Sequence, residues 1–188
     1  PDDVFGQIGQ AYVHAIQGKY PEALEFALQA QQQQPDYWEV CEILGFLPGQ
    51  RRIGLAGAEN PLYDPDPALG YMTRGIALRD DLPRMRVKRA TLLLQMNRSD
   101  EVGADLDRAL ELEPQNANAW NLLGVLRRHQ RRLEEAVAAY SQALALNPAR
   151  VDYAFNRAWV YLELGKVAEA LADYDRFLSV MPDHPTAL

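Results

Sequence analysis

Residues Ala117–Arg150 read ANAWNLLGVLRRHQRRLEEAVAAYSQALALNPAR. Trp120, Leu123 and Gly124 lie at helical spacing, and after a polar break so do Ala136, Tyr140, Ala143 and Leu144. The pattern predicts two short helices joined by a turn. Pro148 closes the pair, because proline lacks the N–H a helix needs and crowds the residue before it. The same pattern returns along the chain at a fixed period, and the period decides the fold.

Pro114, Pro148 and Pro182 are evenly spaced, each after a helical run, and Pro35 closes an earlier run. Counting back from them by that interval gives units at 83–116, 117–150 and 151–184, with a first unit at 4–37. The segment 38–82 is longer than one unit and shorter than two, so five units and one insertion account for 4–184. Ala11, Ala90, Gly124 and Ala158 share one phase, where a small residue lets the first helix approach its neighbour. Gly18, Asn97 and Gly165 share another, between the helices, where Gly and Asn accept a left-handed backbone at least cost. One such helix pair buries too little apolar surface alone, so stability must come from stacking.

The second unit is irregular. Trp38–Leu47 reads as its first helix, with Leu44 and Gly45 in phase, and Pro67–Arg79 as its second, with Ala68 at the phase of Ala136. The insertion of about 11 residues then falls near 48–64. An alternative phase makes 50–60 the first helix, but Gly54 and Gly57 weaken it. A long insertion in a compact array is either functional or a tolerated surface loop. Its GLAGAEN stretch lacks the Gly-Lys-Ser/Thr ending and the preceding strand of a phosphate loop.

The repeating unit resembles the tetratricopeptide repeat, which carries W-x2-L-G-x2-Y, then alanine, an aromatic and proline over about 34 residues. Trp120, Leu123, Gly124, Ala136, Tyr140 and Pro148 fit it; Arg127 replaces the tyrosine, and Ala154 stands where the last unit would carry tryptophan. The resemblance covers nearly the whole chain. It implies an all-α fold, a right-handed superhelical solenoid of about five helix–turn–helix units, forming one domain over 1–188.

Composition agrees with a globular chain: 48% hydrophobic and 24% charged. Residues 1–82 carry the whole net charge of −7, and 83–188 balance to zero. No basic face invites nucleic acid. No apolar run approaches the roughly 20 residues that span a bilayer, so no membrane insertion is expected. Cys41 is the only cysteine, which excludes an internal disulfide and predicts a buried helix position. A lone thiol does not separate cytoplasm from periplasm; a soluble, cytoplasmic protein is the favoured expectation.

Catalytic signatures are absent from the sequence. His14, His129 and His184 fall on separate units, too far apart to share a metal, and no nucleophile elbow or His-Glu-x-x-His occurs. Glu134–Glu135 and Asp173–Asp175, on second helices, read as solvated faces, and Gln31–Gln34 as a polar helix end. The expectation is a protein that is not an enzyme and needs no cofactor or metal.

What the resemblance implies about binding concerns the first helices, which line the concave face in this family. Carried onto this chain, the groove-facing positions include Arg84, Lys88 and Thr91 in unit three, Asn118, Asn121, Val125 and Arg128 in unit four, and Phe155, Asn156 and Trp159 in unit five. Arg84, Lys88 and Arg128 would make one end basic. The asparagines offer donors and acceptors to an extended main chain, and Val125, Phe155 and Trp159 offer apolar contact. A protein partner with an acidic or C-terminal peptide segment fits such a groove. One branch of the family clamps chaperone C-termini with lysine, asparagine and arginine. Ile8 and Tyr12 occupy the clamp phases of unit one, and Val87 and Thr91 those of unit three, so that mode is disfavoured. Asn156 matches a single rung of the asparagine ladder in glycosyltransferase arrays.

The leading expectation is a non-catalytic interaction module or scaffold that binds a partner's peptide. Two alternatives stand beside it. DHPTAL at the end resembles the start of a sixth unit with no polar cap after it, and the chain opens on Pro1 rather than Met. A substrate- or partner-positioning arm of a larger enzyme or assembly, truncated at Leu188, would look like this. A homo-oligomer that buries Leu171 and Leu178 of the last helix is the other.

Overall fold

The structure is a computed structural model that describes residues 3–49, 52–53, 58–60 and 62–181. Ten α-helices occur among them: α1 (Val4–Ile16), α2 (Tyr20–Gln33), α3 (Trp38–Gly49), α4 (Pro65–Leu78), α5 (Pro83–Gln95), α6 (Val102–Leu112), α7 (Ala117–His129), α8 (Leu133–Leu146), α9 (Asp152–Glu163) and α10 (Val167–Val180). The fold is an all-α array of helix–turn–helix pairs.

Local chemistry sets the helix boundaries. Asp3 caps α1 by accepting from the Phe5 N–H at 3.1 Å, and Asn116 caps α7 by accepting from the Ala119 N–H at 3.0 Å. Pro21, Pro65 and Pro83 occupy first turns, where the missing N–H costs nothing. α2, α6 and α8 end just before Pro35, Pro114 and Pro148. Between paired helices the backbone turns left-handed at Gly18 (φ 76°), Asn97 (58°), Arg131 (62°) and Gly165 (72°), all at one phase. The next residue in each case, Lys19, Arg98, Arg132 or Lys166, donates its main-chain N–H back to the carbonyl of His14, Leu93, Arg127 or Tyr161. That is the Schellman closure.

Two compact units divide the chain, Pro1–Arg98 and Ser99–Leu188. In the first, α1 pairs with α2 and α3 with α4, and α3 also lies against α1 and α5. Val4, Ile8 and Ala11 of α1, Ala23, Ala27 and Ala30 of α2, and Val40, Ile43, Leu44 and Leu47 of α3 form one core. Cys41 is buried on α3, and burial pushes its thiol up. Ala68 and Met72 of α4 meet Leu92 of α5 in a smaller cluster.

The irregular repeat carries two helices whose ends differ from the expected Trp38–Leu47 and Pro67–Arg79. α3 runs through Pro48 to Gly49 rather than stopping at Leu47, and α4 starts at Pro65 rather than Pro67. Gly49 lets the last turn of α3 sit against Met72 and Ala68; a β-carbon there would lie 3.3 Å from Met72 Cε. Arg52–Ile53 (β1) pairs antiparallel with Ala58–Glu59 (β2), Arg52 opposite Glu59. Buried Asn60 then ties the chain back to α3, donating to Leu47 O at 2.7 Å and accepting from Leu62 N at 3.0 Å. Most of the GLAGAEN stretch and the DHPTAL end lie outside the described residues.

In the second unit, α7 pairs with α8 and α9 with α10, while α8 packs on α9 and α6 on α7. Ala136 and Tyr140 of α8 meet Val160 of α9, with Val125 and Leu133 around them; Ala143 and Leu144 meet Tyr153 and Ala154. Gly124 sits directly under Tyr140, where a β-carbon would lie 2.6 Å from the ring.

Candidate functional site

The ten candidate residues fall on three first helices: α5 in the first unit, α7 and α9 in the second.

In the first unit, Glu42 of α3 is the centre. It is 4% exposed and accepts from Arg84 through two bonds, Nε at 3.0 Å and Nη2 at 2.9 Å, and from Lys88 Nζ at 2.8 Å. Tyr12 of α1 donates to it at 3.4 Å. Burial alone would raise the Glu42 carboxyl; the hydrogen bonds and charges of Lys88 and Arg84 outweigh it and hold the group below the usual carboxylate range. Burial, then Glu42, pushes the Tyr12 phenol up. Arg84 and Arg79 stand over the Trp38 ring at 5.2 and 5.4 Å, and Lys88 over Phe46 at 4.8 Å. Thr91 donates to Val87 O at 2.8 Å, within its own helix.

In the second unit, α7 and α9 face each other through matched polar pairs. Tyr153 OH donates to Asn118 Oδ1 at 2.6 Å, and Asn156 Nδ2 to Asn121 Oδ1 at 3.0 Å. Further along, Arg128 Nε and Arg131 Nη1 donate to Glu163 at 2.5 and 2.9 Å. Val125 packs with the Tyr140 cluster. Phe155 contacts Phe177 (centroids 4.7 Å), Tyr174 (5.8 Å) and Trp159 (6.3 Å, planes at 82°). Trp159 also meets Tyr174 edge-on at 6.5 Å and stays 41% exposed.

The cations are thus less available than their sequence positions suggest: Arg84 and Lys88 share Glu42, and Arg128 shares Glu163 with Arg131. Sequence reasoning passed over Glu42, whose only signal is an acid on the first helix of the irregular unit. It also misread Asp173. That residue is 5% exposed, not on a solvated face, and takes Arg157 Nε and Nη2 at 2.7 Å each. Arg157 Nη1 reaches Ser141 Oγ at 2.8 Å. The bidentate partner on α9 neutralises the acid, and no helical periodicity reports a partner on another helix.

Among the described residues, no group of three or more His, Cys, Asp or Glu could hold a metal ion. No helix there is long and apolar enough to cross a membrane. Val167 and Leu171 of α10 are exposed, whereas Leu133 and Val137, at the same phases of α8, are partly buried against the core.

Two sequence models of the tetratricopeptide repeat match the chain, over 87–149 and 123–188, together more than half of it. The chain is 31% identical to human Protein O-mannosyl-transferase TMTC3 over 113 residues, 60% of this chain and 12% of that protein. It is 37% identical to the peroxisomal targeting signal receptor of Kluyveromyces lactis over 75 residues, 38% of this chain and 13% of the receptor. It thus spans about an eighth of either relative. YrrB, solved as a TPR protein with an unusual peptide-binding site, superposes with a TM-score of 0.73 over 99% of this chain and 90% of its own, at 17% identity. That likeness shows the fold alone.

Proposed function

The chain belongs to the tetratricopeptide repeat family, whose repeats are protein-interaction scaffolds, and we propose that it binds an extended peptide segment of a protein partner along its first helices. The Asn121–Asn156 pair carries the reading. One bond joins the two amides and uses the Asn121 oxygen and one Asn156 N–H. The Asn121 amide N–H and the Asn156 carbonyl have no further partner among the described residues. Side by side on adjacent helices, they complement the C=O and N–H of a main chain. Two names lend support: one relative is a targeting signal receptor, and YrrB carries a peptide-binding site. Among the described residues, the Cys41 thiol is buried and shifted away from the thiolate, and Glu42 and Asp173 sit in structural ion pairs.

Selection of a random dodecapeptide phage library on the full chain tests this. Enriched peptides are expected to bind the Asn121→Ala/Asn156→Ala double variant roughly tenfold more weakly, as measured by fluorescence anisotropy. Undiminished binding would move the site off these helices.

A further inference from the structure

We infer that the second unit selects its peptide by an aromatic or large aliphatic side chain seated on Trp159, rather than by acidic groups. The inference rests on the peptide-binding reading above and names the chemistry of that ligand.

Trp159 lies one helical turn beyond Asn156 on α9, so the two project from the same face. The turn advances about 4.5 Å, little more than one residue of extended chain. A main chain bonded at the asparagine pair therefore carries a side chain past the indole. Trp159 and Leu162 are each 41% exposed, an apolar surface next to polar anchors. The indole is held edge-on by Phe155 and Tyr174, themselves packed on each other between α9 and α10. A ring fixed before binding loses little side-chain freedom when a ligand covers it.

The cations that an acidic ligand would seek are already engaged, two to each acid. Glu163, one turn past Trp159, already takes Arg128 and Arg131. In the first unit Glu42 does the same for Arg84 and Lys88. An acidic peptide would have to compete with a carboxylate that is tethered in place. An apolar side chain on Trp159 displaces only water and leaves every ion pair intact.

The same selected peptides supply the test. They are expected to share an aromatic or large aliphatic residue, to lose affinity roughly tenfold with Trp159→Ala, and to keep most of it with Trp159→Phe. Their affinity should change less than about twofold when ionic strength is raised about tenfold. Trp159 packs on Phe155 and Tyr174, so its alanine variant is expected to melt lower than the wild type while keeping the helical circular dichroism; both are recorded alongside, and binding is measured well below the melting transition. Enrichment of acidic residues, steep salt dependence, or indifference to Trp159→Ala would overturn the inference while leaving peptide binding in place. A library with no enriched peptide would overturn both.

Discussion

Arg131 turns the chain at a φ of 62°, in a region that a side chain bearing a β-carbon enters at a cost of about 1 kcal/mol. The three other turns at this phase use glycine or asparagine, and those were visible in the sequence. The fourth was not, because arginine has no such preference and only the repeat period points to it. Its side chain is 79% exposed where it meets Glu163, and an exposed pair adds little. Arg131→Gly should therefore stabilise the protein by about 0.5–1 kcal/mol, seen as a higher urea midpoint at unchanged slope. A lower midpoint would mean that the contact with Glu163 outweighs the backbone strain.

Between paired helices, two phases show how one element solves the same packing problem twice. In the last repeat Arg157 of α9 and Asp173 of α10 fill the gap with a bidentate pair. One repeat earlier, Leu123 of α7 and Ala139 of α8 occupy the same phases, leaving a shallow notch of about 390 Å³ beside Trp120. The apolar and the ionic solution both fold. Removing one partner of the buried pair is costly, since a desolvated charge loses its compensation; Asp173→Ala should destabilise by about 3 kcal/mol. Arg157→Leu/Asp173→Ala, which copies the preceding repeat, should recover most of that loss in urea unfolding. A double variant worse than the single one would show that the bond from Arg157 to Ser141 matters more than the charge balance. Helix positions, proline stops and small-residue phases could all be read from the chain because each is local. Partners on different helices, such as these, leave no local trace, and so the acid read as solvated.

Across the first unit, Glu42 binds three successive first helices into one body: Tyr12 comes from α1, the carboxylate from α3, and Arg84 and Lys88 from α5. The candidate site was readable as far as helix faces go, because position within the repeat assigns a face. What those side chains already hold was not readable, because it depends on a neighbouring repeat whose phase an insertion interrupts. The cluster makes stability depend on pH in a direction that can be worked out. The folded-state value of Glu42 lies below the unfolded value of about 4.3. The carboxylate therefore stabilises the fold fully above that value, and the contribution is lost as pH falls through the folded value. Glu42→Gln keeps the shape but removes the charge. At neutral pH it should cost about 2 kcal/mol, less than for a fully enclosed pair, because half-exposed Arg84 can rehydrate. Urea unfolding of both proteins from neutral to acid pH should show the two stabilities drawing together as pH falls below the unfolded value and on through the folded one, as protonation brings the wild type to the state of the variant. A gap that stays constant across the titration would assign the loss to packing of the glutamine rather than to the charge.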